Sequence, residues 1–130
     1  MALPIKDGKI TCAYKKRGKM WSKGYHSGCD FAVPVGTDVL AVADGKVANA
    51  SWGQAYGVQL VQTLPDGTFF IYAHLSKTFV KPGDVIKSGE VIAKSGNTGN
   101  SSGPHLHIER RSNIRWSAGK DLDPAEILAS

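Results

Sequence analysis

The sequence predicts a mainly β domain of antiparallel hairpins with almost no helix. Three observations lead there. Fifteen glycines and six prolines are scattered through 130 residues rather than clustered, as turns between short strands require. Between these turns apolar residues recur with period two, so that Phe69, Ile71 and Ala73 face one way and Phe70, Tyr72 and His74 the other. Turn signals such as Asp44-Gly45 and Pro65-Asp66-Gly67 separate consecutive runs. At 42% hydrophobic, residues 1–130 are expected to fold as one domain with its own core. No compositional break, internal repeat or low-complexity stretch argues for a second.

Taken in order, residues 1–25 are rich in glycine and lysine, with one strand expected over residues 10–14. Trp21 and Tyr25 flank a basic segment there, suited either to lining a cleft or to anchoring the segment on the core. In an extended backbone His26, Gly28 and Asp30 then share one face, while Cys29 and Phe31 turn toward the core. Residues 39–43 and 46–50 read as a hairpin closed by a type I′ turn at Asp44-Gly45. Residues 58–63 and 68–74 read as a second hairpin, with His74 ending its strand. Residues 80–96 alternate short apolar pairs with glycine turns, implying small strands at tight corners, and the polar loop 97–103 delivers the chain into a strand carrying His105 and His107. Residues 113–120 read as a loop bearing Trp116. A short C-terminal helix over residues 123–128 is expected, with Asp123 as N-cap and Pro124 at the first helical position.

Sixteen Lys and Arg against eleven Asp and Glu give a net charge of +5. Much of the excess sits in Lys15-Lys16-Arg17-Gly18-Lys19, Lys23 and Arg110-Arg111. Such a surface attracts polyanions such as nucleic acid, anionic lipid or bacterial wall polymers; a merely solvated basic face is the plainer alternative. Two cysteines, Cys12 and Cys29, are too few for a disulfide framework. A single bridge, a buried thiol at Cys29 and a metal-binding thiolate all stay open. No apolar leader is visible at the start, and no run of about 18 apolar residues exists to cross a membrane.

The chemistry gathers at four histidines and one aspartate. His105 and His107 lie two apart in Gly103-Pro104-His105-Leu106-His107-Ile108-Glu109, so they share one strand face while Leu106 and Ile108 share the other. Alone, His-x-His is as readily an exposed strand pair as a site, and His26 with Asp30 is as readily a surface hydrogen bond. Together with His74 they make a coherent metal-hydrolase set. A catalytic zinc takes three protein ligands and keeps a position open for water. Five candidate groups therefore leave two for acid–base or electrostatic work.

The ordered set His26-Ser27-Gly28-Cys29-Asp30, Tyr72-Ala73-His74-Leu75, Gly96-Asn97-Thr98-Gly99 and Gly103 to Glu109 resembles the lysostaphin-type (LytM-like) zinc metalloendopeptidases over roughly residues 22–109. The resemblance implies a compact antiparallel β-sheet, sandwich-like domain with a groove holding one zinc ion per chain. It implies His26, Asp30 and His107 as metal ligands and His74 and His105 as catalytic residues. His105 is then the general base and His74 its partner at the oxyanion, roles that can be exchanged. Two imidazoles and one carboxylate would leave the zinc site at about +1, able to lower the pKa of bound water to about 7. A family tyrosine that helps stabilise the transition state has Tyr25 and Tyr72 as candidates. The implied substrates are peptides of bacterial peptidoglycan, cut in cross-bridges or stems by a monomer. Anionic wall polymers are a further partner, and neither nucleic-acid binding nor membrane insertion is expected. Without an export signal, the chain reads as a phage lysin or as an excised domain of a secreted enzyme. Two other readings are weaker. A catalytically silent scaffold of the same fold predicts lost ligands, whereas all five positions carry competent residues. A biotinyl- or lipoyl-like carrier needs a lysine beside a methionine at a hairpin tip, which neither Met1 nor Met20 supplies.

Overall fold

The computed structural model describes residues 3–6, 29–50, 54–65, 67–99 and 103–111, and the backbone of 121–122. Their strands are β1 (Cys29–Phe31), β2 (Asp38–Leu40), β3 (Gly45–Val47), β4 (Val58–Thr63), β5 (Phe69–Thr78), β6 (Val85–Ile86), β7 (Val91–Ser95), β8 (Leu106–Arg111) and β9 (Asp121–Leu122). All pairings among them are antiparallel, in the spatial order β1-β8-β5-β4-β3-β6, with β7 bridging β5 and β2 and with β9 on β8. The mainly β, antiparallel expectation holds. The one helical element among the described residues is a 3₁₀ turn, Gln54–Tyr56, leading into β4. The expected strand over 10–14, loop over 113–120 and helix over 123–128, with Cys12, Trp21, Tyr25, His26 and Trp116, lie outside the described residues.

The register sorts side chains onto two faces. Directly paired residues in an antiparallel ladder point the same way. Cys29 pairs Ile108, Phe31 pairs Leu106 and Tyr72 pairs Ile108, and these five residues are buried in the main core with Phe70, Leu60 and Leu75. On the opposite face Asp30 pairs His107, Ala73 pairs His107 and Ile71 pairs Glu109. The core therefore fixes the site. Any one-residue slip of β8 would put Leu106 and Ile108 on the wrong side.

Two local expectations are corrected. Asp44-Gly45 does not close a hairpin: β2 pairs with β7, and β3 pairs with β4 and β6. Gly45 is needed for space instead, because a Cβ there would collide with the Thr63 carbonyl oxygen and come within 2.9 Å of Gln62 Nε2. The residues 58–63 and 69–78 do form the predicted hairpin, but β5 runs on to Thr78, so His74 lies within the strand rather than at its end. It is the point where β5 changes partner, pairing β8 through Ala73 and β7 from Leu75.

Tyr72 is fully buried, donating its hydroxyl hydrogen to Gln62 Oε1 at 2.6 Å and accepting from the Val42 amide at 3.1 Å. Burial raises its pKa, so it remains a neutral phenol. It is a core tyrosine and no candidate for touching substrate. Tyr72→Phe leaves two buried groups without that partner and is expected to cost about 1–3 kcal/mol in denaturant unfolding. Activity per folded molecule should be unchanged; a selective loss of turnover would return Tyr72 to the site.

Candidate active site

β1 and β8 bring Asp30 and His107 together. His107 Nδ1 stands 2.7 Å from Asp30 Oδ1, across the register pair that joins the two strands. His105 Nε2 lies 3.8 Å from the same carboxylate oxygen. His105 enters from the loop side, where its residue bridges Gly96 and its Nδ1–H donates to the Gly103 carbonyl at 2.7 Å. With Nδ1 held by that carbonyl, Nε2 is the nitrogen that faces Asp30.

His74 reaches the same place by breaking the strand rhythm. Strict alternation would put it on the core face with Phe70 and Tyr72. Its φ of 60° is left-handed, an uncommon backbone for any residue but glycine, though histidine tolerates it better than most. The kink moves Leu75 into the core cluster in its stead. The His74 ring centroid then sits 4.8 Å from that of His105 and 5.9 Å from that of His107. Its Nδ1–H donates to the Thr98 carbonyl at 2.7 Å, leaving Nε2 as the acceptor. Burial lowers the His74 pKa, with the neighbouring histidines acting in the same direction, so the ring is neutral at neutral pH.

His107 is differently placed. Burial alone would lower its pKa, but hydrogen bonds to Asp30 and Glu109, with their charges, raise it to about 9. Without a cation it is an imidazolium donating from both nitrogens, Nδ1 to Asp30 and Nε2 to Glu109 Oε2 at 2.9 Å. A cation at Nδ1 would take the place of one proton. Asp30 Oδ1 and His107 Nδ1 are close enough to share a metal, a hard oxygen and an imidazole nitrogen of the kind zinc accepts. Among the described residues no group of three such side chains is arranged as a complete metal site. The third expected ligand, His26, lies outside them.

These strands, with this cluster, match known proteins. The model of peptidase family M23 matches residues 24–124. The chain belongs to peptidase family M23. Over 111 residues it is 43% identical to a glycyl-glycine endopeptidase, ALE-1, of Staphylococcus capitis, covering 82% of this chain and 30% of that protein. The chain thus spans less than a third of the length of that full-length relative. The crystallised catalytic domain of the antimicrobial peptidase lysostaphin from Staphylococcus simulans superposes with a TM-score of 0.86 at 36% identity, covering 96% of this chain and 95% of that one. A zinc-containing peptidase from Vibrio cholerae superposes with a TM-score of 0.79 at 32% identity, covering 98% of this chain and 39% of that one.

Behind the M23 histidine pair the structure shows residues that the motif alone did not single out. Glu109 is buried, and burial would raise its pKa, but His107, Arg111 and Tyr56 outweigh that and hold it ionised. Its Oε2 accepts from His107 and from the Tyr56 hydroxyl at 2.5 Å; its Oε1 accepts from Arg111 Nε at 2.9 Å, with Arg111 Nη2 at 2.7 Å. The signal was present: the alternation that puts His105 and His107 on one face also puts Glu109 and Arg111 there. This corrects the reading of Arg110-Arg111 as exposed basic surface, since Arg111 is fully buried against Glu109. Cys29 is buried on the core face, away from Asp30, and so does not serve as a thiolate ligand to this cluster.

Proposed function

We propose that this chain is a zinc-dependent endopeptidase that hydrolyses peptide bonds in peptidoglycan cross-bridges or stems, acting as a single domain with one zinc per chain. The observation that carries this reading is the convergence of Asp30, His107, His105 and His74 on one sheet face, two offering ligand atoms and two whose rings are held at Nδ1 by backbone carbonyls. His26, Asp30 and His107 would hold the metal. Zinc bound there would polarise the scissile carbonyl and acidify water. His105, fixed by Gly103, takes the proton from the attacking water and later returns it to the leaving amine. His74, fixed by Thr98, stands beside it, and the two rings can exchange these roles: whichever takes the water's proton on Nε2 becomes the imidazolium that donates to the developing negative charge and then gives the proton to the leaving amine. In both rings the carbonyl acceptor sets the tautomer before substrate arrives.

The similarity to a glycyl-glycine endopeptidase makes a polyglycine cross-bridge the first substrate to test, with D-alanyl-glycine and D-alanyl-diaminopimelate links beside it. Purified sacculi of these chemistries should be solubilised by the zinc-loaded protein, and mass analysis of the new termini names the bond. Chelation should abolish release and added zinc restore it. Zinc-loaded, folded protein that opens none of the three sacculi would overturn the proposal.

A further inference from the structure

We infer that Glu109 is a positioning residue for the metal ligand His107, and that Tyr56 and Arg111 hold its carboxylate in the one orientation that does this. The inference rests on the zinc-peptidase reading above and adds to it how the ligand is aimed.

His107 can offer Nδ1 to a metal only if its remaining proton sits on Nε2. Glu109 Oε2, 2.9 Å from Nε2, is the acceptor that keeps it there. A histidine ligand is commonly oriented in this way through its other ring nitrogen, and loss of such a partner costs about 10–100-fold in metal affinity. Both oxygens of Glu109 are committed. Arg111 Nε donates to Oε1, with Nη2 at ion-pair distance from the same oxygen, and the Tyr56 hydroxyl donates to Oε2 from the 3₁₀ turn before β4, so the carboxylate is held at both ends. The Tyr56 ring also packs edge-on to His107, centroids 6.3 Å apart. The ligand is therefore aimed by a side chain on its own strand, Glu109, which is steadied in turn by one that lies 53 residues from it in sequence.

The commitment of both oxygens makes a specific prediction. In Glu109→Gln the amide has one oxygen for two demands. If it faces Arg111, the NH₂ group faces His107 Nε2 and favours the tautomer with the proton on Nδ1, which cannot bind metal. Adding Arg111→Met removes the competing demand, so the amide oxygen is free to face Nε2. Zinc affinity should be measured by competition with a chromophoric chelator in the parent, Glu109→Gln, Tyr56→Phe and Glu109→Gln/Arg111→Met. Folding should be followed by circular dichroism and ring tautomers by nitrogen-15 NMR of labelled histidine.

The expected result is zinc binding weakened roughly 10–100-fold in Glu109→Gln, weakened less in Tyr56→Phe, and partly recovered in the double variant. His107 should carry its proton on Nε2 in the zinc-loaded parent and lose that preference in Glu109→Gln. Folded Glu109→Gln that binds zinc within twofold of the parent, or a double variant no better than the single one, would overturn the positioning role. If the parent itself fails to bind zinc, the zinc-peptidase reading falls, which is a different outcome from tight zinc binding indifferent to Glu109.

Discussion

His107→Ala is expected to lose zinc and hydrolysis together, whereas His105→Ala should keep its zinc and lose about 10²–10⁴-fold in turnover. The difference follows from where each ring sits. His107 shares a register pair with Asp30 and puts Nδ1 2.7 Å from its carboxylate, so removing the ring removes a donor atom. His105 has its Nε2 3.8 Å from that oxygen and its Nδ1 on Gly103, so it flanks the donor pair. His74→Ala belongs with His105 by the same reasoning, since Thr98 holds its ring beside the pair. Zinc content after gel filtration and kcat on a defined cross-bridge peptide check both halves. Equal metal loss in His105→Ala and His107→Ala would contradict the division between ligand and acid–base residue. Zinc retained at the parent level in His107→Ala would remove that residue from the ligand set.

Much of this site was legible because strands impose period two. The rule that put Asp30 opposite Cys29 and Phe31, and His107 opposite Leu106 and Ile108, needs no tertiary information, and the core then fixes which face is free. His74 was legible as a suspect from its motif, but alternation alone placed it on the core face. Only a left-handed residue at the change of strand partner carries it across. Asp44-Gly45 misled for another physical reason. The same dipeptide serves a tight hairpin turn and a close approach between backbones, and sequence does not distinguish positive φ from absent Cβ space. Glu109 could have been found by running the alternation two residues further. Tyr56 could not, because a hydroxyl on a 3₁₀ turn meets Glu109 only after β4, β5 and β8 have assembled. The placement of His26 is carried by the resemblance alone.

The other large effect concerns the contact that sets His74. Gly99→Ala is expected to cost about 2–5 kcal/mol, the sum of a left-handed backbone penalty of roughly 1–2 and an overpacking cost of about 1–3. Gly99 has a φ of 77°, and a Cβ there would strike the Gly57 amide nitrogen and lie 2.6 Å from the Ala55 carbonyl oxygen. These neighbours are backbone and cannot rotate away. The contact is mutual, for a Cβ on Gly57 would come within 2.5 Å of the Thr98 carbonyl carbon. Thr98 is what the pair of glycines positions: its carbonyl accepts from His74 Nδ1, its hydroxyl donates to the Leu75 carbonyl at 2.6 Å, and the Val58 amide donates to that hydroxyl at 3.1 Å. Pushing the 97–99 loop outward therefore removes the acceptor that fixes the His74 tautomer, and turnover should fall by more than the folded fraction does. Gly67→Ala is the control. Gly67 has a φ of 85° but open space where its Cβ would go, so it should cost the backbone penalty alone and leave activity per folded molecule intact. Unfolding in urea with kcat on the same samples separates the two contributions. If Gly99→Ala proved no less stable and no less active than Gly67→Ala, the Gly57–Gly99 contact would have no part in holding His74.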